Sequence, residues 1–303
     1  MPYLYFLFNC LIWGSSFIMM DRAATALGPL AISTIRLLGG ALTLALYWAW
    51  KQPEVRIAKS DWKPIFLVAA ISNAWPFTVL PFVLSRADEH GYFGMMPSLV
   101  PLVTIVASIP MLGIWPSLRQ VVGVVGGLIC LGGVVLDGSQ RGIAPGVLAL
   151  AVTVPITYAL GNTYIKWKLS HMDPLPMTVL FLGIAGLLLL PLQLFPSLLA
   201  EAGLAGPAEP RDWPLAMVSM FVLAVFSTGL ATLMFLQMLK YQGPLFAGMV
   251  TYVIPIVALA WGQYDSERLT TLQIAAIGGV LAMVALVQWR AAGTNQPQGE
   301  PLA

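Results

Sequence analysis

The chain has 303 residues, of which 58% are hydrophobic and only 9% are charged, and its mean hydropathy is +0.83. A soluble domain carries about 25% charged residues, so this composition excludes a water-soluble particle and requires lipid around much of the surface. The net charge of +2 is too small to indicate a nucleic-acid partner, and the two cysteines, Cys10 and Cys130, lie in apolar segments without a disulfide pattern.

Apolar stretches long enough to cross a bilayer follow one another along the whole chain. A spanning helix needs about 20 mostly apolar residues, because the hydrocarbon core is about 30 Å thick and each helical residue rises about 1.5 Å. The stretches, bounded by charges, Pro or Gly, are 3–20, 30–50, 64–85, 92–112, 118–136, 143–164, 174–195, 213–239, 244–262 and 270–290. The sequence therefore predicts an all-α polytopic membrane protein with ten transmembrane helices. The remaining residues, 291–303, are rich in Gly, Pro and Gln and are expected to form a disordered cytoplasmic tail.

The distribution of lysine and arginine predicts the orientation in the membrane. Residues 3–20 lack the basic start and the small-residue cleavage site of a signal peptide, so this first span is expected to be retained. If the N-terminus is cytoplasmic, most of the basic residues fall on the cytoplasmic side, among them Lys51, Lys59, Lys63 and Lys240. The positive-inside rule then places both termini in the cytoplasm.

The second half of the chain repeats features of the first half. A shift of 154 residues aligns 86–103 (RADEHGYFGMMPSLVPLV) with 240–257 (KYQGPLFAGMVTYVIPIV) without a gap, and it brings together a basic residue, a Gly-Met pair and a proline. Two repeats of five spans, 1–137 and 143–290, are therefore expected. Because five is odd, the second repeat would be inverted in the membrane. This construction is typical of alternating-access transporters, with the solute site between the repeats near the midplane.

Several motifs resemble those of a known family. Trp13-Gly14-Ser15-Ser16-Phe17 is similar to the first-helix motif of the drug/metabolite transporter superfamily, in its ten-span EamA branch, and Arg36-Leu37-Leu38 is similar to its second-helix motif. The segment Tyr252-x-x-Pro255, followed by Glu267-Arg268-Leu269-Thr270 and Gln273, resembles that family's signature for the ninth and tenth helices. The first half departs from the pattern, because Ile114-Trp115-Pro116 stands where family repeats commonly have a Gly-Glu-Arg-like turn. The resemblance implies export of amino acids or similar metabolites across a bacterial inner membrane, with bacterial aromatic amino-acid exporters as the nearest relatives.

Ionisable residues are almost absent from the predicted spans. Arg36 alone lies clearly inside one, about six residues or roughly 9 Å below its outer end. It could contact an anionic group of the substrate such as a carboxylate, snorkel to the interface, or pair with helix-end carbonyls or Asp21. His90 and His171 are predicted in loops. Since no carboxylate or histidine is expected near the midplane, the sequence favours facilitated export without obligatory proton exchange.

Neutral side chains within the spans are the candidate substrate contacts. An unpaired polar group in hydrocarbon costs several kcal/mol, so such groups should face other helices or a wet cavity. For a single Ser or Thr, hydrogen bonding between helices is the simpler explanation. A tryptophan in mid-span lies away from the interface where this residue is usual, and an aromatic wall suits an amphipathic solute. The candidates are Trp13, Ser16, Asn73, Trp75, Thr78, Tyr92, Met95, Ser98, Tyr158, Asn162, Thr232 and Tyr252.

Two prolines coincide in the alignment of the repeats, Pro101 and Pro255. Proline interrupts helical hydrogen bonds and kinks a helix. We expect both to act as hinges, because alternating access would need the same bend in each repeat. The alternative interpretation is that both prolines produce fixed kinks, which shape a cavity without moving.

A small-solute carrier accounts for these features better than the other classes of membrane protein. A channel would need a filter-like backbone run or a ring of charges, and a membrane enzyme would need a base, a nucleophile or a metal cluster. An accessory subunit without transport chemistry stays open, because it requires no particular residues. No catalytic residue, metal site or cofactor is predicted. The expected partners are a small-molecule substrate and the lipid bilayer, and the chain is expected to be a monomer or a weak homodimer.

Overall fold

The computed structural model describes residues 2–51, 57–87, 89–140, 142–241, 247, 250–267 and 270–288, and all regular structure within these residues is helical. We number the long helices α1 to α10 in chain order. They are α1 Pro2–Ala24, α2 Pro29–Lys51, α3 Lys59–Leu84, α4 His90–Leu112, α5 Leu118–Gln140, α6 Pro145–Lys168, α7 Pro174–Leu194, α8 Trp213–Tyr241, α9 Val250–Tyr264 and α10 Thr271–Gln288. Prolines begin several of them, as in α6 and α7, because the first turn of a helix does not need the missing N–H.

Eight of these helices, α1 to α8, are long and apolar enough to cross a membrane. The apolar parts of α9 and α10 are shorter, Val250–Tyr264 and Thr271–Met283, within the described residues. The chain is therefore a polytopic α-helical protein, and ten spans remain a prediction. The predicted tail, 291–303, and the Gly248-Met249 pair of the repeat lie outside the described residues.

Three predicted boundaries were wrong in detail. The third helix begins at Lys59 rather than at residue 64, since a short 3₁₀ turn precedes it. His90 does not lie in a loop but is the first residue of α4. The stretch between α7 and α8 contains a further short helix, Pro196–Ala202, which ends at Gly203 with a positive φ of 70°. Glycine suits that position because it lacks the Cβ that would clash in the left-handed conformation.

The helices pack mainly across the two halves of the chain. In one direction α1 packs against α8 and α9, and α2 packs against α8. In the other direction α6 packs against α3 and α4, and α7 packs against α3. Further large contacts join α2 to α7, α4 to α9 and α5 to α10. The contacts of α1 with α8 and α9 thus resemble those of α6 with α3 and α4, and the contact of α2 with α8 resembles that of α7 with α3.

Small residues allow the close contact between α5 and α10. A Cβ added at Gly279 of α10 would overlap Cys130 of α5, and one added at Gly126 would overlap Met283. Gly126 and Gly279 therefore allow α5 and α10 of the same chain to approach closely, as small residues do between helices in a membrane.

Two helices contain π-helical segments at corresponding positions. In α3 the segment is Ala70–Ala74, and in α8 it is Val222–Leu230. The first segment shifted by 154 residues falls inside the second. A π-helix widens the turn and shifts the hydrogen-bond pattern from i→i+4 to i→i+5, and such segments are often found at functional sites. The third helix and the eighth helix therefore depart from regular α-helical hydrogen bonding at corresponding positions.

Candidate functional site

The π-helical segment of α8 is the meeting point of several candidate residues. The Trp13 indole of α1 donates a hydrogen bond of 2.9 Å to the backbone carbonyl of Ser227. Its ring packs against Phe235 with the ring centroids 5.2 Å apart. The Ser227 hydroxyl is buried and has no hydrogen-bond partner among the described residues. The widened turn thus offers a carbonyl to an aromatic side chain from another helix, and a polar atom beside it is left unsatisfied.

Arg36 of α2 reaches the same π-helical segment. Its Nε donates to the hydroxyl of Thr228 at 3.2 Å, and its Cζ lies 4.8 Å from the ring centre of Phe77. Its Nη1 lies 2.8 Å from the Met20 sulfur. The residue is only 4% exposed, so it does not snorkel to the interface. Asp21 forms an ion pair with Arg22, with the nitrogen and oxygen 3.1 Å apart. Arg36 has no ion pair with a described residue.

The aromatic hydroxyls and polar groups of the second half lie around the main apolar core. Tyr158 of α6 and Tyr252 of α9 are half-buried and pack against the same cluster of buried residues as Trp13. The Tyr252 hydroxyl is buried without a partner in the described part of the chain. Asn162 and Thr232 are half-buried on α6 and α8. The structure therefore brings Trp13, Tyr158 and Tyr252 to one core.

The polar residues of α3 mostly satisfy their own helix. Asn73 donates to the carbonyl of Val68 at 3.1 Å, and Thr78 donates to that of Ala74 at 2.8 Å. The Trp75 side chain lies apart from Trp13: it is 44% exposed and its indole donates to the Thr153 hydroxyl of α6 at 2.9 Å. The structure does not bring Trp75 to the region around Trp13.

The candidates on α1 and α4 are buried with local partners. Ser16 donates to the Trp13 carbonyl at 2.6 Å, and Ser98 donates to the Met95 carbonyl at 2.7 Å. The Tyr92 hydroxyl donates to the carbonyl of Val134 at 2.7 Å, which ties α4 to α5. A cavity of about 10 Å³ lies beside Met95 and Ser98. It has room for about one water molecule, so these residues line no solute-sized space in this conformation.

The two aligned prolines differ in local structure. Pro101 stands in the first turn of the α-helical part of α4, directly after the 3₁₀ segment Met96–Leu99. Pro255 stands inside the regular helix α9. The residues before Pro101 form a 3₁₀ turn, whereas those before Pro255 are α-helical. A hinge role for either proline remains a prediction.

A buried charged cluster closes the end of the bundle where α1 and α9 end and α4 begins. The His90 Nε2 lies 2.9 Å from an oxygen of Asp265 and 3.3 Å from one of Glu267. Arg22 at the end of α1 pairs with Asp265 at 2.5 Å. The Glu267 carboxylate accepts the backbone N–H of Gly91 at 3.0 Å. We call the set Arg22, His90, Asp265 and Glu267 the outer cluster, after the side to which the predicted orientation would assign it.

The pKa values of the two carboxyls of the outer cluster shift in opposite directions, because burial dominates at Glu267 and hydrogen bonds dominate at Asp265. Burial raises the pKa of the Glu267 carboxyl, and the Gly91 N–H and the charge of His90 oppose this only in part. Burial alone would also raise the pKa of Asp265, but hydrogen bonds from His90 and Arg22 hold it below its ordinary value. The side chains of His90 and Glu267 are 4% and 6% exposed. These groups were predicted only as loop or helix-end residues, because no local signal in the sequence shows that they meet.

The opposite end of the bundle has two further pairs among the described residues, each with one exposed partner. Lys240, 31% exposed, lies 2.8 Å from Asp173, 64% exposed, and His171, 58% exposed, lies 3.1 Å from Asp61, 10% exposed. Solvent at the exposed partner weakens a pair, whereas His90 and Glu267 of the outer cluster are both buried. The outer cluster is thus the more deeply buried of these sets of described residues.

Comparison with known proteins identifies the family. The model of the EamA-like transporter family matches residues 1–136 and again residues 145–289. Two relatives from Bacillus subtilis (strain 168), described as uncharacterized transporters YoaV and YvbV, are 21% and 24% identical to the chain. The matches cover 87% and 91% of this chain and 88% and 87% of those proteins.

Protein PecM of Dickeya dadantii (strain 3937) is 24% identical, with 91% of this chain and 89% of that protein covered. One solved crystal structure, whose description names no function, shares the fold with a TM-score of 0.66 at 15% identity, over 97% of this chain and 99% of that one. The helices, the exchanged packing and the family match agree on a membrane transporter of small molecules. The chain belongs to the EamA-like transporter family.

Proposed function

We propose that this transporter exports amino acids, preferably aromatic or large neutral ones, from the cytoplasm by alternating access. The observation that carries the proposal is the contact of Trp13 with the π-helical segment of α8 at Ser227, whose hydroxyl is buried without a described partner. Tyr252, whose hydroxyl also lacks a described partner, packs against the same apolar core as Trp13. An aromatic wall next to unsatisfied polar atoms suits a solute with an aromatic part and a polar part. The other predicted contacts are proposed to surround this region or to position it. Trp75, which lies apart from Trp13 in this structure, is proposed to contact the solute in another conformation of the transport cycle.

The inverted duplication is part of the same proposal. It is supported by the two separate family matches, by the exchanged packing of the halves and by the corresponding π-helical segments. In this arrangement the halves would exchange conformations, so that the site opens at one end and then at the other. We place both termini in the cytoplasm of a bacterial-type inner membrane, where the outer cluster would close the external end. The chain is proposed to act as a monomer or weak homodimer.

Counterflow into proteoliposomes tests this function. Vesicles loaded with unlabelled phenylalanine or tryptophan should accumulate the labelled amino acid, with saturation at high concentration, and should accumulate sugars far less. Saturation would separate a carrier from a channel. Absence of transport for amino acids, purines and cationic drugs alike would favour an accessory subunit instead.

Two tryptophan variants connect the transport to the site. Trp13→Ala and Trp75→Ala should change the selectivity among amino acids more than they change expression. Unchanged selectivity in both would remove these residues from the site.

Because no carboxylate or histidine is assigned to the midplane, uptake should follow the solute gradient when the proton gradient is dissipated. Collapse of uptake at a fixed solute gradient would contradict export without obligatory proton exchange.

A further inference from the structure

The guanidinium of Arg36 is a buried positive charge without a counter-charge in the described structure. It is 4% exposed, and its contacts are a hydroxyl, a thioether and an aromatic ring, with the phenol of Tyr158 on α6 as a further electrostatic neighbour. No carboxylate of a described residue lies within ion-pair distance of it. These neutral neighbours stabilise a cation much less than a carboxylate does.

An unpaired charge at this depth is costly. Removing an ion from water is expensive in a low-dielectric interior, and the attraction of a partner ion is what normally offsets that cost. Ionisable residues inside transmembrane helices therefore face a substrate path or a partner. The helices that supply the neighbours of Arg36 are α1, α3, α6 and α8, and none of them provides a described carboxylate there.

The location of Arg36 connects this charge to the proposed site. Arg36 contacts Thr228, and Trp13 contacts Ser227, so the two side chains meet neighbouring residues of one π-helical segment. The Nη2 nitrogen has no hydrogen-bond partner among the described residues, and Nη1 has only a sulfur. These two nitrogens form the edge of the guanidinium that binds a carboxylate with two parallel hydrogen bonds.

We propose that Arg36 binds the carboxylate of the transported solute and that the solutes of this transporter must carry a free carboxylate. This inference rests on the proposed export of amphipathic solutes and specifies their charged end. The carboxylate of the solute supplies the counter-charge of Arg36 that no described residue provides. The apolar part of the solute faces Trp13. The guanidinium is covered in this conformation, so the solute reaches it when α2 and α8 move apart in the transport cycle.

Binding of three related probes to the purified full-length protein tests the inference. Phenylalanine has the amine and the carboxylate, 3-phenylpropionate has only the carboxylate, and phenylalaninamide has only the amine. Phenylalanine and 3-phenylpropionate should raise the apparent melting temperature and bind about 10–100-fold more tightly than phenylalaninamide, which is the range for a charge-assisted bidentate contact. Equal affinity for phenylalanine and its amide would overturn the inference.

Variants at Arg36 separate binding from a structural role. Arg36→Met should lose the preference for carboxylates and, without solute, should melt at the same or a higher temperature, because replacing an unpaired buried charge by an apolar group removes a cost. Arg36→Lys keeps the charge without the planar fork, so it should keep the preference with weaker affinity. Should Arg36→Met fail to fold, Arg36→Gln serves in its place. Retention of the carboxylate preference by Arg36→Met or Arg36→Gln would overturn the inference.

An exposed arginine provides the matched control. Arg86 is exposed and lies over the Phe82 ring, 5.0 Å from its centre. Arg86→Gln removes one positive charge from the same protein and should leave the probe affinities within about twofold of the parent. Loss of the preference in this variant too would point to overall charge and contradict a site at Arg36.

The transport experiment distinguishes the two levels of the proposal. If counterflow occurs for solutes irrespective of a carboxylate, the inference about Arg36 fails and the transport function stands. If no solute of any class is transported, the proposed function itself fails.

Discussion

A buried hydroxyl with a hydrogen-bond partner indicates a structural role, whereas a buried hydroxyl without one indicates a group that can contact a ligand. Tyr92 donates to a backbone carbonyl and is fully buried, so its oxygen holds the fold together. The Tyr252 oxygen is buried without a described partner, which is a cost that a purely structural residue would not need. In a transporter such a group is a candidate for a ligand contact made in another step of the cycle.

Two conservative substitutions test this difference. Tyr92→Phe should lower the stability by about 1–2 kcal/mol, since the carbonyl of Val134 loses its donor. Tyr252→Phe should leave the stability unchanged or raise it slightly, and should weaken solute transport. Thermal unfolding in detergent and counterflow rates measure the two effects. Equal destabilisation by both substitutions would show that Tyr252 has a structural partner.

At the scale of the helix, close packing holds the π-helical segment of α3 in place. The Ser72 hydroxyl donates to the carbonyl of Thr157 on α6 at 2.8 Å. Gly161 lies directly opposite, and a Cβ added there would overlap the Ser72 side chain. Ser72 lies within the π-helical segment, so the absence of a side chain at Gly161 is what allows α3 and α6 to meet there.

Glycine-to-alanine exchanges test this contact. Gly161→Ala should destabilise the protein by about 1–3 kcal/mol, because overpacking forces the helices apart. The control is Gly132→Ala on α5, where nothing lies within 4 Å of an added Cβ. It should be neutral or stabilising by up to about 1 kcal/mol, since alanine favours the helix. Both are compared by thermal unfolding, and a Gly161→Ala protein as stable as Gly132→Ala would contradict the packing argument.

The stability that the outer cluster contributes depends on pH, because Asp265 and Glu267 in the loop between α9 and α10 have shifted pKa values. The pKa of Asp265 is lowered, so its contribution to stability is present above its ordinary pKa of 3.8 and is lost as the pH falls through the lowered value. The pKa of Glu267 is raised, so the folded protein binds that proton more tightly than the unfolded chain does. For Glu267 the stability therefore falls as the pH rises above the ordinary value of 4.5.

Two isosteric substitutions of the outer cluster should accordingly differ in sign. Asp265→Asn should lower the stability at pH 7 by about 1–3 kcal/mol, with a smaller difference as the pH approaches 3.8. Glu267→Gln should raise the apparent melting temperature at pH 7 to 8, and this gain should disappear toward pH 4.5. Melting curves across this pH range check both. A Glu267→Gln variant less stable than the parent at pH 8 would refute the effect of burial.

The sequence predicted the helices well because the bilayer imposes a length and an apolar composition that can be read locally. It also showed Arg36 inside a span. The partners of Arg36 and the meeting of His90 with Glu267 could not be predicted, because these contacts join residues far apart in the chain. The π-helical segments have no compositional signal either, since they differ from an α-helix only in the hydrogen-bond pattern.

At the scale of the whole molecule, the two ends of the bundle are closed to different degrees. The outer cluster joins α1, α4 and the α9–α10 loop, with His90 and Glu267 buried and Arg22 and Asp265 partly buried. The described pairs at the opposite end, around Lys240 and His171, each have an exposed partner. A buried network that is broken as a unit favours two discrete conformations over a gradual opening. This asymmetry predicts that the opposite end opens more readily than the outer end when no solute is bound.

Distance measurements between paired spin labels test this prediction. In a chain with Cys10→Ala and Cys130→Ala, labels at Ser85 and Tyr264 report on the outer end, and labels at Lys59 and Tyr241 report on the opposite end; all four positions are exposed. Without solute, the outer distance should be short and narrowly distributed, and the opposite distance should be broad.

Weakening the outer cluster should reverse this pattern. Asp265→Asn removes the negative charge and one of the two acceptor oxygens that Arg22 and His90 share, so it should lengthen the distance between Ser85 and Tyr264 and shorten that between Lys59 and Tyr241. The opposite sign of the two changes is the essential result, because alternating access couples the closing of one end to the opening of the other. Distances that lengthen at both ends would indicate loosening of the bundle, and distances that change at one end alone would show that the two closures are uncoupled.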